Sequence, residues 1–138
     1  MGTWDTGPFD NDTAADWSGG LDDTEPEDRL DLIRSTLSAA ADELDYLDSR
    51  EACQAVAAAA VIASQLGGDP IDSPYAPDFL LAGESLEVEP DVAPLAVRAL
   101  DRVVGDESEW RDLWDDASET NRDAAFAVVA RLRSALDR

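Results

Sequence analysis

The chain has no lysine, no histidine and a single cysteine in 138 residues, and each absence closes off chemistry. Without His or Lys, the common general base, the Schiff-base amine and the phosphate-cradling lysine are missing. Zinc loses its usual Cys and His ligands but for one thiol, and Cys53, in an apolar stretch, reads as an inert packing residue with no internal disulfide partner. Nothing resembles a secretory leader, so a cytoplasmic location is expected. The longest apolar run, Ala55 to Ala63, falls far short of the ~20 residues a membrane span needs. The opening MGTWDT fits the N-myristoylation pattern, but bulky Trp4 and the lack of a polybasic second signal argue against a lipid anchor.

Acid is what the chain has in abundance. Asp and Glu number 32 against 10 bases, all arginine, for a formal charge of −22. Residues 1–97 carry a net −19 and residues 98–138 only −3. Such a field opposes direct binding to a bare nucleic-acid backbone or an anionic membrane and favours a basic protein as partner. Uniform acidification for solubility, as in halophiles, is the competing explanation, and it predicts a more even spread. At this length a single domain is expected, with roughly two-thirds of the unfolded chain's surface buried.

The periodicity predicts an all-α bundle of five to six helices. Thr24 and Pro26 open one helix, whose apolar stripe runs through Leu30, Ile33, Leu37, Ala40, Leu44 and Leu47, either unbroken to Tyr46 or kinked near Asp42. Asp48 and Glu51 have capping-box spacing, and the Ala-rich segment from Ala52 to Ala63 predicts the central helix, stopped by Leu66 and Gly67-Gly68. Three further amphipathic helices are expected: Val92 to Val104, a short one through Trp110, Leu113, Trp114 and Ala117, and a last one from about Thr120 through Ala125, Val128, Val129, Leu132 and Leu136. Residues 67–90, with GGDPIDSPYAPDF, make the one long loop, on which Tyr75 and Phe79 read as anchors and Asp72 and Asp78 as exposed acids. Sustained period-two alternation is absent, so strands are minor or missing.

The opening GTWDTGPFDNDTAADW concentrates aromatics, turn formers and aspartates. Its Asp10–Asp16 cluster fails as a calcium loop, because the fifth, sixth and twelfth positions are Ala14, Ala15 and Leu21. The structural reading is that Asp10 to Asp12 form an Asx-type turn, Asp12 caps a short helix, and Trp4, Phe9, Asn11 and Trp17 fasten the terminus to the bundle. Two acidic runs, Asp22 to Asp28 and Asp106 to Asp116, read first as solvated faces. The sharper reading is an acidic surface with exposed aromatics that mimics nucleic acid or neutralises a basic toxin; against it, Trp110 and Trp114 share a face with Leu113 and read as core.

This opening also resembles the signature of a family of small bacterial proteins known as domain of unknown function 4259, G-T-W-x-x-G-x-F-x-N-D-x-A-x-D-W. The chain matches it at Gly2, Thr3, Trp4, Gly7, Phe9, Asn11, Asp12, Ala14, Asp16 and Trp17. AVAAAAVIASQLGG and ALDRVV extend the similarity along nearly the whole chain. The resemblance implies no activity, cofactor or catalytic residue.

The expected function is therefore a non-enzymatic acidic binding module, of inhibitor or immunity type, for a basic protein, with no cofactor and no metal. Its candidate contact residues are Asp5, Asp10, Asp16, Asp22, Asp23, Asp72, Tyr75 and Asp78. A small carboxylate- or metal-dependent enzyme and an accessory protein whose acidity only maintains solubility are the alternatives.

Overall fold

The computed structural model describes residues 7–67 and 76–137. Trp4, Asp5, Asp72 and Tyr75, all singled out by the sequence, lie outside the described residues. Within them the chain forms α1 (Asp12–Asp23), a 3-10 turn (Pro26–Asp28), α2 (Arg29–Ala41), α3 (Ser49–Gln65), α4 (Asp78–Leu81), α5 (Val92–Val104), α6 (Glu109–Asp115) and α7 (Glu119–Leu136). The fold is all-α. The β-pairing among the described residues is one isolated parallel bridge between Leu47 and Ser108.

The Ala-rich helix is central, as its composition predicts. Ala52 and every residue from Ala55 to Ala63 are buried, and α3 packs against α1, α2, α5, α6 and α7. Side chains this small let five neighbours approach one helix. Asp48 caps it, accepting the Glu51 N–H at 2.8 Å. After Leu66 the chain leaves through Gly67 at φ 90°, a left-handed conformation that favours glycine.

Around α3 each amphipathic helix turns its stripe inward. In α1 the buried residues are Ala14, Trp17, Ser18 and Leu21, at the i, i+3, i+4, i+7 spacing. In α5 they are Val92, Leu95, Ala96, Ala99, Leu100 and Val103. Trp110 of α6 stacks edge-on with Trp114 at 6.2 Å between ring centroids and tilts onto Phe126 of α7 at 5.3 Å. Ser118 caps α7, accepting the Asn121 N–H at 3.2 Å.

Several local expectations are corrected. The cap of α1 is Asn11 rather than Asp12: its side-chain oxygen accepts the Ala14 N–H at 2.8 Å, and Asp12 is the first helical residue. Thr24 closes α1 instead of opening the next helix, its hydroxyl donating to the Gly20 carbonyl at 2.8 Å. The helix α2 ends at Ala41: the Asp42 N–H makes its last i→i−4 bond, to the Ser38 carbonyl, and the Glu43 N–H reaches back only three residues, to the Ala40 carbonyl at 3.3 Å. Leu44 is thereby thrown outward and is 94% exposed. Leu113 does not share the buried face of Trp110, since α6 is only seven residues long and turns just the Trp110–Trp114 edge inward.

Ser18 is the one buried side chain among the described residues whose polar atom lacks a hydrogen-bond partner. A buried hydroxyl without a partner costs about 1–3 kcal/mol, so Ser18→Ala should stabilise the protein by about 1 kcal/mol. The melting temperature measured by circular dichroism should rise by roughly 3 °C; a fall would mean that the hydroxyl is bonded in solution.

Candidate functional site

The N-terminal motif is built as a fastening. Asp10 folds back so that its carboxylate accepts the Gly7 N–H at 3.1 Å, while its own N–H donates to the Gly7 carbonyl. A Cβ on residue 7 would meet that carboxylate, which would have to swing aside. Phe9 and Trp17 are buried, and the Trp17 indole N–H donates to the Thr36 hydroxyl of α2 at 3.0 Å. Of the candidate contact acids on this segment, Asp10 is committed to the turn and Asp16 is exposed.

Asp22 has an internal role too. Its carboxylate accepts the N–H groups of Asp78 at 2.8 Å and Phe79 at 3.2 Å, closing the start of α4. Arg29 donates to the Leu21 and Asp22 carbonyls and lays its guanidinium over the Phe79 ring, 4.0 Å from the centroid. Phe79 therefore anchors its loop segment, as expected. Asp23 and Asp78 keep exposed side chains, but nothing brings them together with Asp16.

Behind the motif lies a cavity of about 30 Å³, lined by Gly7, Asn11, Cys53, Trp110, Trp114 and Val128 among others. That is room for about one water molecule and too little for a substrate. Burial, with a smaller contribution from the Glu109 charge, pushes the Cys53 thiol up to about 11. At pH 8 Cys53 should then react with Ellman's reagent at least about tenfold more slowly in the folded protein than in denaturant, because the thiolate is the reactive form. Equal rates would show that the thiol is open to solvent. The folded form holds this proton more tightly than the unfolded one. Its contribution to stability is thus complete below the ordinary thiol range and declines as pH rises through that range towards 11.

A wider opening lies elsewhere, between the α2–α3 connection and α6. It is a cleft of about 420 Å³ lined by Tyr46, Asp106, Glu107, Arg111, Asp112 and Asp115. Two connecting segments dock to form it. Leu47 donates to the Glu107 carbonyl and accepts from the Glu109 N–H, both at 2.8 Å. The Glu109 carboxylate accepts the Ser49 N–H, and buried Ser108 donates to the Val103 carbonyl at 2.6 Å. Glu107 sits at φ 57°, the left-handed region, where the turn into α6 projects its side chain outward.

Arg102 binds the two segments together. Its guanidinium donates to the carbonyls of Glu43 at 3.1 Å, Asp45 at 2.6 Å and Asp106 at 2.9 Å. Tyr46 donates its hydroxyl to Asp112 at 2.7 Å, and that bond, followed by desolvation and the charges of Asp112, Glu109 and Glu107, pushes the phenol up to about 12. The cleft's one arginine, Arg111, is already shared between Asp106 at 3.3 Å and Asp115 at 3.8 Å.

The sequence marked this region only as the acidic run Asp106 to Asp116. Tyr46, Leu44 and Arg102 were missed as site residues. The available signal was the Asp48 cap, which starts α3 at residue 49 and leaves residues 42–48 to be a connection rather than helix. Among the described residues, no group of three or more Cys, Asp or Glu side chains is placed to hold a metal ion, and no helix is long and apolar enough to cross a membrane.

A family model described as Domain of unknown function (DUF4259) matches residues 2–126. The chain belongs to that family. The DUF4259 match takes in the N-terminal fastening, the central helix and both walls of the acidic cleft, and ends inside α7. No curated protein and no solved structure matches this DUF4259 chain.

Proposed function

We propose that the protein is a non-enzymatic acidic binding module for a basic protein, acting as an inhibitor or immunity-type partner. The supporting observation is the cleft beside α6, where Asp106, Glu107, Asp112 and Asp115 face one arginine that is already paired. The pairing of most of the arginines strengthens the bias. Arg29, Arg34, Arg98, Arg102, Arg111, Arg122 and Arg133 all bond to the protein's own carbonyls or carboxylates. Their charges are therefore held locally, while the surplus acids are left to attract cations and to steer an approaching basic protein.

The test is a low-salt pull-down from host lysate with two baits, the wild-type protein and the Glu107→Gln/Asp112→Asn variant. Cationic proteins retained by the first, depleted from the second and released by 0.5 M salt would support the reading. Equal recovery by both baits, or no cationic protein from either, would leave acidity as a means of maintaining solubility.

A further inference from the structure

Leu44 is the most exposed large apolar residue of the described chain, at 94%, and Tyr46 two positions on is 45% exposed. An exposed leucine on a free loop would mean little. This one stands between two carbonyls, those of Glu43 and Asp45, that are both held by the Arg102 guanidinium. The same guanidinium reaches the carbonyl of Asp106, a residue of the acidic cleft, and Tyr46 itself lines that cleft. Arg102, the Tyr46–Asp112 bond and the Leu47 backbone pairing with Glu107 and Glu109 thus fix the apolar ledge and the carboxylates to one another, and little loop ordering remains to oppose binding.

We propose that the Leu44–Tyr46 ledge and the adjoining cleft form one docking surface for a basic amphipathic helix of a partner protein. This rests on the reading of the chain as a binder of basic proteins and names the form of the contact. Charge complementarity selects the partner: an Arg or Lys enters among Asp106, Glu107 and Asp112, and Leu- or Ile-type side chains cover Leu44 and the Tyr46 ring. A helix suits the surface better than an extended strand, since the described residues offer an incoming strand no sheet edge. Apolar and basic positions spaced three to four residues apart on one helix would meet ledge and cleft together.

Two synthetic peptides of equal positive charge test this by calorimetry at low salt. Both carry the same arginines; one has leucines at i, i+3, i+4 and i+7, the other glutamines there. The Leu peptide is expected to bind wild type about tenfold or more tighter than the Gln peptide, the scale of one buried leucine. Leu44→Ser should abolish that preference, leave the Gln peptide unaffected and keep the wild-type melting temperature, because the side chain touches little of the fold. The Glu107→Gln/Asp112→Asn variant should weaken both peptides. If Leu44→Ser leaves the preference intact while the charge variant weakens both, the ledge proposal falls and the electrostatic reading stands. If the charge variant changes neither affinity, both fall. Displacement of both peptides alike by millimolar calcium at constant ionic strength would make the cleft a cation site and overturn the proposal. So would a concentration-dependent dimer, seen in sedimentation, that Leu44→Ser dissolves.

Discussion

Trp17→Ala is expected to lower the unfolding free energy by about 3–5 kcal/mol, and the melting temperature by roughly 10–15 °C for a chain of this size. Trp17 is 8% exposed and holds α1 to α2 through its indole N–H on Thr36. Truncation removes both the buried rings and that bond, in a region whose backbone α1 cannot easily draw inward. Trp17→Phe separates the two contributions. It retains most of the apolar contact and should cost only about 1 kcal/mol, because the Thr36 hydroxyl keeps its own bond to the Leu32 carbonyl at 2.8 Å. Thermal melts of both variants decide the matter: an unchanged melting temperature for Trp17→Ala would mean that the N-terminal segment is not a fastening.

Arg102→Ala is the second large effect, with an expected loss of about 2–4 kcal/mol. Hydrogen bonds to a charged group contribute about 1.5–3 kcal/mol each when they are removed singly, and those sharing one side chain do not add. Arg102→Lys should recover little of this. An ammonium carries the same charge but lacks the planar fork that reaches the Glu43, Asp45 and Asp106 carbonyls together. Urea unfolding of the three proteins gives the comparison. A lysine variant as stable as wild type would show that charge near those carbonyls matters and that fork geometry does not.

The helices were legible where the pattern is dense. From Ala52 to Ala63 every residue but Gln54 is apolar, which predicts the buried helix that α3 proves to be, and the Asp48 cap fixes where it begins. The Trp110–Trp114 pair also reads correctly as core, completed by Phe126. The cleft was illegible for a different reason. Its walls come from residues 46 and 106–115, far apart in sequence and joined through backbone carbonyls that no side-chain pattern announces. Leu44 was misread because three- and four-residue steps continue past Ala41 in the sequence, whereas the backbone turns there. Asp22 looked free for the same reason: the N–H groups it accepts belong to residues 78 and 79.

The small side chains of α3 also bear on how such a protein can change. At Ala57, Ala58 and Ala59, all fully buried, each added methylene group must displace a neighbouring helix, and overpacking of this kind typically costs 1–3 kcal/mol. Variation by mutation is thereby steered away from the middle of the molecule and towards its connections. Exposed positions on them, such as Leu44 and Glu107, can exchange side chains while the carbonyls of Glu43, Asp45 and Glu107 stay in the grip of Arg102 and Leu47. A rigid interior of this type would let a lineage reshape its acidic surface by substitutions at a few exposed positions, Leu44 first among them, without rebuilding the bundle.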